Sequence, residues 1–266
     1  MAGGIILQGI ILGNEIRYHH AKNYLEMQGH TFQENKEADF IIFPFMGEID
    51  PNIYNDSYFA ALRKDALIFS GVRSEYLTNR CKEYGLKYYP MMEERGITIK
   101  NAIPTSEGVI SYLIKNRIDT IANSKILVIG YGVCGSDLSK KLKALGANVY
   151  ALVRNREKEA TAYADSITPI YAERAFYKPN FDVIINTVPE CVMTNEVLQK
   201  CKGTLFIDIA SKPYGFDMEF AKKLNEKSAL LPGIPGKYAV RTAGEILGEY
   251  INQVLKNRGE SSDIKR

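Results

Sequence analysis

The sequence predicts an α/β protein in two parts: a doubly wound parallel sheet, and a smaller α/β domain ahead of it. Three observations predict this. Strand-like apolar runs alternate with helix-length segments along almost the whole chain. In Lys125 to Arg154, KILVIGYGVCGSDLSKKLKALGANVYALVR, a strand, a glycine turn, a helix and a second strand follow one another without a gap. The 266 residues also suffice for two modest domains.

In the first hundred residues, Ile5 to Leu12 reads as a buried strand ending at Gly13, and Glu15 to Gln28 as a helix stopped by Gly29. Thr31 to Glu34 reads as a short strand and Asp39 to Phe45, DFIIFPF, as a stronger one that Pro44 brings to its end. A helix over Asp56 to Lys64, a strand over Ala66 to Ser70, a helix over Ser74 to Tyr84 closed by Gly85, and a strand over Leu86 to Tyr89 complete the alternation. These residues, 1–103, are expected to form a flavodoxin-like or Rossmann-like domain. Residues 104–241 are expected to form the nucleotide domain, and the helix over 242–257 to pack back on the first.

Between the two, Thr105, Ser106 and Glu107 follow Pro104 and precede the apolar-periodic Val109, Ile110, Leu113 and Ile114. That order predicts a helix starting at Thr105, with hydroxyls and amides free at its N-terminus. Ile126 to Ile129 then has the length and β-branched content of a strand buried on both faces. Gly130, Gly132 and Gly135 stand at the G-x-G-x-x-G spacing. The first allows a tight turn, the second a close approach by a pyrophosphate, and the third close packing of helix on strand. Tyr131, Val133 and Cys134 fill the turn, whose free N–H groups would meet the phosphates. Cys134, at the helix start, is a place where a thiol pKa can fall, although a merely tolerated small residue is the simpler reading. Together these features predict an NAD(P)-binding Rossmann domain.

The second strand, Asn148 to Val153, ends in Arg154, Asn155 and Arg156, where an NAD enzyme usually has Asp or Glu. A guanidinium there favours a 2′-phosphate, hence NADP. Phe181 to Asn186 and Leu205 to Ile209 are further strands, with Thr187, Val188 and Pro189 at the carboxyl end of one and Ala210, Ser211 and Lys212 at that of the other. Ligands of open α/β sheets bind outside those ends, so both groups are expected to border the nicotinamide. Ala229 to Leu231 leads into the rigid turn Pro232, Gly233, Ile234, Pro235, Gly236, suited to a closely approaching ligand or to plain chain reversal. Tyr238 to Leu255 is a long final helix, begun near Thr242 and amphipathic at 246, 247, 250, 251, 254 and 255.

Composition narrows the rest. A formal charge of +3 implies no strong field for nucleic acid or membrane. Neither a signal peptide nor a run of about 18 apolar residues is present, so the chain is expected to be soluble and cytoplasmic. Four cysteines without a C-x-x-C pair fit a reducing compartment. His19, His20 and His30 stand at no metal-binding spacing, and no metal is expected. Lys256, Arg258, Lys265 and Arg266 read as a frayed polar tail.

NAIPTSEG (101–108), the glycine motif, INTVP (185–189), IDIASKPYGFD (207–217), LPGIPGK (231–237) and RTAG (241–244), in this order and spacing, resemble the dipicolinate synthase A-subunit family over about Phe40 to Leu255. Before Phe40 the resemblance is looser and the first domain shorter than the family's usual one. The resemblance implies NADP-dependent oxidation of a cyclic dihydrodipicolinate to pyridine-2,6-dicarboxylate in the mother cell of a spore-forming bacterium, with a flavoprotein-like B subunit as partner; homo-oligomeric assembly is also expected. A diacid requires cations, and Lys212, Lys237 and Arg241 lie on loops at the cofactor face. Ser70, the Gly71 amide, Thr105 and Ser106 are candidate neutral donors to substrate. Glu107 is the first candidate for a base and Lys212 the second. A two-domain alanine or 2-hydroxy-acid dehydrogenase is a rival reading, opposed by the absence of any histidine after His30, since those enzymes generally rely on one. A non-catalytic NADP-binding regulatory subunit is the other.

Overall fold

A computed structural model describes residues 6–33, 37–46, 49–117, 119–177 and 180–263. Ile5, Glu34, Lys265 and Arg266, which entered the expectations above, lie outside them. The chain divides into one unit of Met1–Asn101 with Val240–Arg266 and another of Ala102–Ala239.

In the first unit the order is β1 (Gln8–Ile11), α1 (Ile16–Met27), β2 (Thr31–Phe32), β3 (Phe40–Ile42), α2 (Asp56–Ala60), β4 (Leu67–Ser70), α3 (Glu75–Tyr84) and β5 (Lys87–Pro90). The strands form one parallel sheet in the order β2-β1-β3-β4-β5. Successive side chains of β3 and of Phe43 just after it point to opposite faces: Phe40 and Ile42 enter a core with Tyr18, Leu25 and Phe69, while Ile41 and Phe43 enter one with Phe59, Ile68 and Leu77. Both faces are therefore buried, as a parallel sheet requires.

The helix α4 (Arg95–Asn116) follows, and the boundary between the units falls within it. Its course corrects the expected start at Thr105, for the helix runs straight through Pro104. A proline removes one helical hydrogen bond and clashes with the carbonyl four residues back, at about 3 kcal/mol. Burial on both sides outweighs that cost, since Ile97 belongs to the first unit's core and Val109 and Leu113 to the second's. Thr105, Ser106 and Glu107 thus stand in mid-helix, where N–H groups serve the helix itself.

The second unit continues with β6 (Lys125–Ile129), α5 (Val133–Ala144), β7 (Asn148–Leu152), α6 (Arg156–Ala164), β8 (Thr168–Ile170), α7 (Ala172–Tyr177), β9 (Val183–Asn186), α8 (Asn195–Gln199), β10 (Leu205–Asp208), α9 (Met218–Leu224), β11 (Ala229–Leu230) and α10 (Pro235–Tyr238). Its parallel sheet has the order β11-β10-β9-β6-β7-β8. The chain runs outward from β6 through β7 to β8, then returns to β9 on the other side, so the switch point lies between β6 and β9. Ile126 and Val128 enter one core, and Leu127 and Ile129 the other. The α/β class with a doubly wound nucleotide sheet is the one expected from the sequence.

The last helix, α11 (Val240–Asp263), belongs to the first unit, with Ile246, Leu247, Ile251 and Leu255 in its core. Arg258 is not part of a frayed tail. It donates to the Asp39 carbonyl at 3.2 Å and pairs with Asp65, whose carboxyl burial alone would raise but the Arg63 hydrogen bond and Arg258 charge hold below the usual range. Close packing of α11 on α1 depends on Gly244: a Cβ there would lie 2.4 Å from the Arg17 carbonyl oxygen and 2.6 Å from His20 Cβ. Gly244→Ala is accordingly expected to destabilise the protein by about 1–3 kcal/mol, overriding the roughly 0.5–1 kcal/mol that alanine gains over glycine in an open helix. Urea unfolding followed by circular dichroism measures it, and a stabilised variant contradicts the packing argument.

Candidate active site

The three glycines of the turn have different physical reasons. Gly130 has φ of 93°, the left-handed region, and a Cβ there would lie 2.4 Å from Val188 Cγ1 and 2.9 Å from Thr187 Oγ1. Gly135 lies against backbone: its Cβ would stand 2.1 Å from the Gly130 carbonyl oxygen. Gly132, the N-cap of α5, is exposed, has φ of −84° and would meet nothing within 4 Å. Two glycines are thus demanded by the protein's own packing, and the third borders open space. Gly132 has no side chain to cap α5, and that helix has no acidic residue in its first turn. The N–H groups of a helix's first turn lack partners within the helix, so the cradle fits a pyrophosphate by shape and charge.

The turn is fixed from both sides. Thr187 donates through its backbone N–H and its hydroxyl to the Ile129 carbonyl, at 3.1 and 2.8 Å. Tyr131 is buried, and its hydroxyl donates to Asp165 Oδ2 at 2.8 Å; burial first, then that bond, raise the phenol pKa well above its ordinary value. Cys134 departs from the possibility read from its place at a helix start. Its thiol pKa is raised, by burial first and then by Asp137.

At the end of β7, Arg154 and Arg156 are exposed and in no ion pair among the described residues. Asn155 is the N-cap of α6, its side-chain carbonyl accepting from the Lys158 N–H at 2.9 Å. That use of the side chain separates Asn155 from the two arginines grouped with it.

Across the switch point, the loops after β9 and β10 are joined by two residues that the strand patterns alone do not single out. Asn186 and Asp208 face each other in register at the strand ends, and both are fully buried. Asn186 Nδ2 donates to Asp208 Oδ1 at 3.0 Å and to the Val188 carbonyl at 2.8 Å, and its Oδ1 accepts from the Val188 N–H at 3.2 Å. Asp208 Oδ1 also accepts from the Ala210 N–H at 2.9 Å, and Oδ2 from the Gly215 N–H at 2.7 Å. The signal in the sequence is a polar residue ending each apolar strand, VIIN and LFID. Asp208 thus fixes both ends of the loop that carries exposed Ser211 and Lys212, while Ala210 is buried.

The Pro232–Gly236 turn is partly helical, with Pro235 buried at the start of α10, Gly233 at φ of 66° and Lys237 exposed. Gly108 lets α4 approach it: a Cβ at Gly108 would lie 2.1 Å from Ile234 Cγ2. Thr105 and Ser106 are buried, Ser106 Oγ lacks a hydrogen-bond partner, and Glu107 is exposed.

In the first unit, Ser70 and Gly71 follow β4, and Arg241 is exposed in the first turn of α11. The Ser70 hydroxyl lies 2.7 Å from the Val72 carbonyl, to which it donates, and 2.6 Å from the Tyr88 hydroxyl. A Cβ at Gly71 would lie 2.3 Å from the Phe45 ring. A cavity of about 530 Å³ opens at the carboxyl ends of β3 and β4, lined by Pro44, Met46, Ile49, Ser70, Val72 and Arg73 among others. Among the described residues no helix is long and apolar enough to cross a membrane, and no group of His, Cys, Asp or Glu is arranged to hold a metal.

Residues 125–236 match the family model of the NAD-binding domain of 6-phosphogluconate dehydrogenase. The chain therefore has a nicotinamide-dinucleotide-binding domain of the dehydrogenase type. It is 35% identical over 191 residues to the dipicolinate synthase A-subunit of Bacillus subtilis (strain 168), a stretch covering 71% of this chain and 64% of that protein. The crystal structure of the B. subtilis dipicolinate synthase A chain superposes with a TM-score of 0.86 at 26% identity, covering 98% of this chain and 99% of that one. Its Bacillus halodurans counterpart does so at 0.85 and 28%, over 95% and 99%. D-lactate dehydrogenase of Escherichia coli shares the fold, at a TM-score of 0.60 and 13% identity over 90% and 93% of the two chains.

The different demands on the glycines make a direct test. Gly132→Ala is expected to leave the thermal midpoint within about 2 °C of wild type yet weaken dinucleotide binding at least about tenfold, while Gly135→Ala lowers both. Calorimetric titration with scanning calorimetry separates them. Equal losses of stability in the two variants contradict the assignment of Gly132 to the ligand.

Proposed function

Because this chain belongs to the dipicolinate synthase A-subunit family, we propose that it oxidises a cyclic dihydrodipicolinate to dipicolinate, pyridine-2,6-dicarboxylate, with NADP+ as the oxidant, in sporulation. The observation that carries this reading is the glycine cradle, closed where the protein packs and open at Gly132, in a chain related to that enzyme. Bound there, the nicotinamide ring supplies a hydride acceptor.

The chain's own residues have the remaining tasks. Arg154 and Arg156, exposed between β7 and the start of α6 and without ion pairs among the described residues, suit a 2′-phosphate and so favour NADP over NAD. Lys212, Lys237 and Arg241, all exposed, suit the two carboxylates of the substrate. Thr187, Val188, Pro189, Ala210, Ser211, Gly233 and Pro235 are assigned to the walls around the nucleotide. Ser70, Gly71, Thr105 and Ser106 are assigned to the substrate, although the Ser70 hydroxyl already has two protein partners. Loss of a ring proton accompanies hydride loss, and aromatisation drives both, so orienting the ring against the acceptor is the larger task. Glu107 is exposed and is the first candidate to take that proton, with Lys212 the second. A flavoprotein-like B subunit is the proposed partner, and cytoplasmic, homo-oligomeric assembly completes the reading.

Appearance of reduced nicotinamide absorbance on mixing dihydrodipicolinate and NADP+ with the chain, with and without a B subunit, tests the reaction. Absence of turnover in both mixtures overturns it. Lys212→Ala is expected to raise KM or abolish turnover with NADPH affinity unchanged, and an unaltered kcat/KM removes Lys212 from the site. Replacing Arg154 and Arg156 together by alanine is expected to lower the preference for NADP+ over NAD+ by about 10–100-fold, the worth of charge-assisted hydrogen bonds to one phosphate. An unchanged ratio of the two dissociation constants assigns the 2′-phosphate elsewhere.

A further inference from the structure

The carboxylate of Asp208 has no stated task in the reaction, and its surroundings are unusual. It is fully buried, and among the described residues it has no ion pair with any lysine, arginine or histidine. Three neutral donors converge on it: Asn186 Nδ2, the Ala210 N–H and the Gly215 N–H. The Asn186 amide cannot be turned round, because its oxygen already accepts from the Val188 N–H. Only donors therefore face Asp208, whose negative charge lies inside the domain with hydrogen bonds but no cation beside it among the described residues. The three hydrogen bonds satisfy the carboxylate oxygens but leave the buried charge without such a counter-ion.

The place of this charge follows from strand register. Leu152, Ile129, Asn186 and Asp208 form one row across β7, β6, β9 and β10, at the carboxyl edge. Gly130 follows Ile129 directly, so Asp208 lies two strands, roughly 10 Å at the usual strand spacing, beyond the phosphate cradle. Arg154 lies on the opposite side of the cradle, after β7. With the 2′-phosphate assigned to Arg154, the nicotinamide half of the dinucleotide extends toward β9 and β10.

We infer that Asp208 is an electrostatic determinant of nucleotide redox state: its buried charge favours the cationic oxidised nicotinamide over the neutral reduced ring. The inference rests on the nucleotide reading given above and goes beyond it. At an effective dielectric of about 20, a unit charge about 10 Å from the ring is worth roughly a tenfold difference between the two forms. The consequence is preferential capture of NADP+ and ready release of NADPH.

Dissociation constants of the full-length chain for NADP+ and for NADPH, measured separately by calorimetric titration, test this without any turnover. The wild type is expected to bind NADP+ at least as tightly as NADPH. Asp208→Asn is expected to shift the ratio of the two constants by about tenfold toward NADPH. Thr187→Val removes a hydroxyl that bonds the Ile129 carbonyl and does not touch Asp208, and is expected to weaken both forms alike with the ratio unmoved. Tighter NADPH binding by the wild type, an unmoved ratio in Asp208→Asn, or an equal shift in Thr187→Val overturns the inference. Should Asp208→Asn fail to fold, the wild-type ratio decides. Failure of the wild type to bind either form is a different result, which overturns the nucleotide reading itself and this inference with it.

Discussion

One backbone contact governs the second unit: helix α5 begins against the carbonyl of Gly130, at a distance that leaves no room for a side chain on Gly135. Everything the site offers follows from that approach. It sets the first turn of α5 over the end of β6, so that N–H groups without helical partners face outward at the switch point. It also leaves the Gly130 peptide in a left-handed conformation, which Thr187 steadies by two hydrogen bonds to the preceding carbonyl. A methyl group at Gly135 therefore disturbs strand, turn and helix together, whereas one at Gly132 meets open space.

Much of this is legible from the sequence because the features are local. A buried parallel strand, a glycine spacing and the arginines after β7 are each read within a dozen residues. Pro104 shows where local reading fails: a proline followed by hydroxyl residues is a good helix start in isolation, but α4 is held by apolar side chains on both sides of it, in two different cores. The same holds for Arg258, which in the sequence belongs to a polar tail and in the structure meets Asp39 and Asp65, about two hundred residues earlier. Asn186 and Asp208 are distant in sequence and adjacent in register, so neither strand read alone discloses the pair. Cys134 differs in kind. Its place on the helix is evident from the sequence, but the burial and the nearby Asp137 charge that raise the thiol pKa are not.

Register also orders the charges. Along the carboxyl edge the chain presents a cation after β7, a group of N–H dipoles after β6, and a buried anion at the end of β10. On the proposed reading, an oxidised phosphorylated dinucleotide presents a 2′-phosphate, a pyrophosphate and a cationic ring in the same order, so each element would meet its opposite. The two ends of the row need not be equally strong. Arg154 is exposed, so salt and water screen it. Asp208 is enclosed, and its field is weakened much less. Recognition of the phosphate end should therefore fade with ionic strength while discrimination between redox forms persists, which separates the two charges without altering either residue. For the proposed oxidation, made downhill by aromatisation, a charge that favours the oxidised ring opposes hydride acceptance slightly. The reaction's own driving force can absorb that cost, and the gain falls on release of the reduced product.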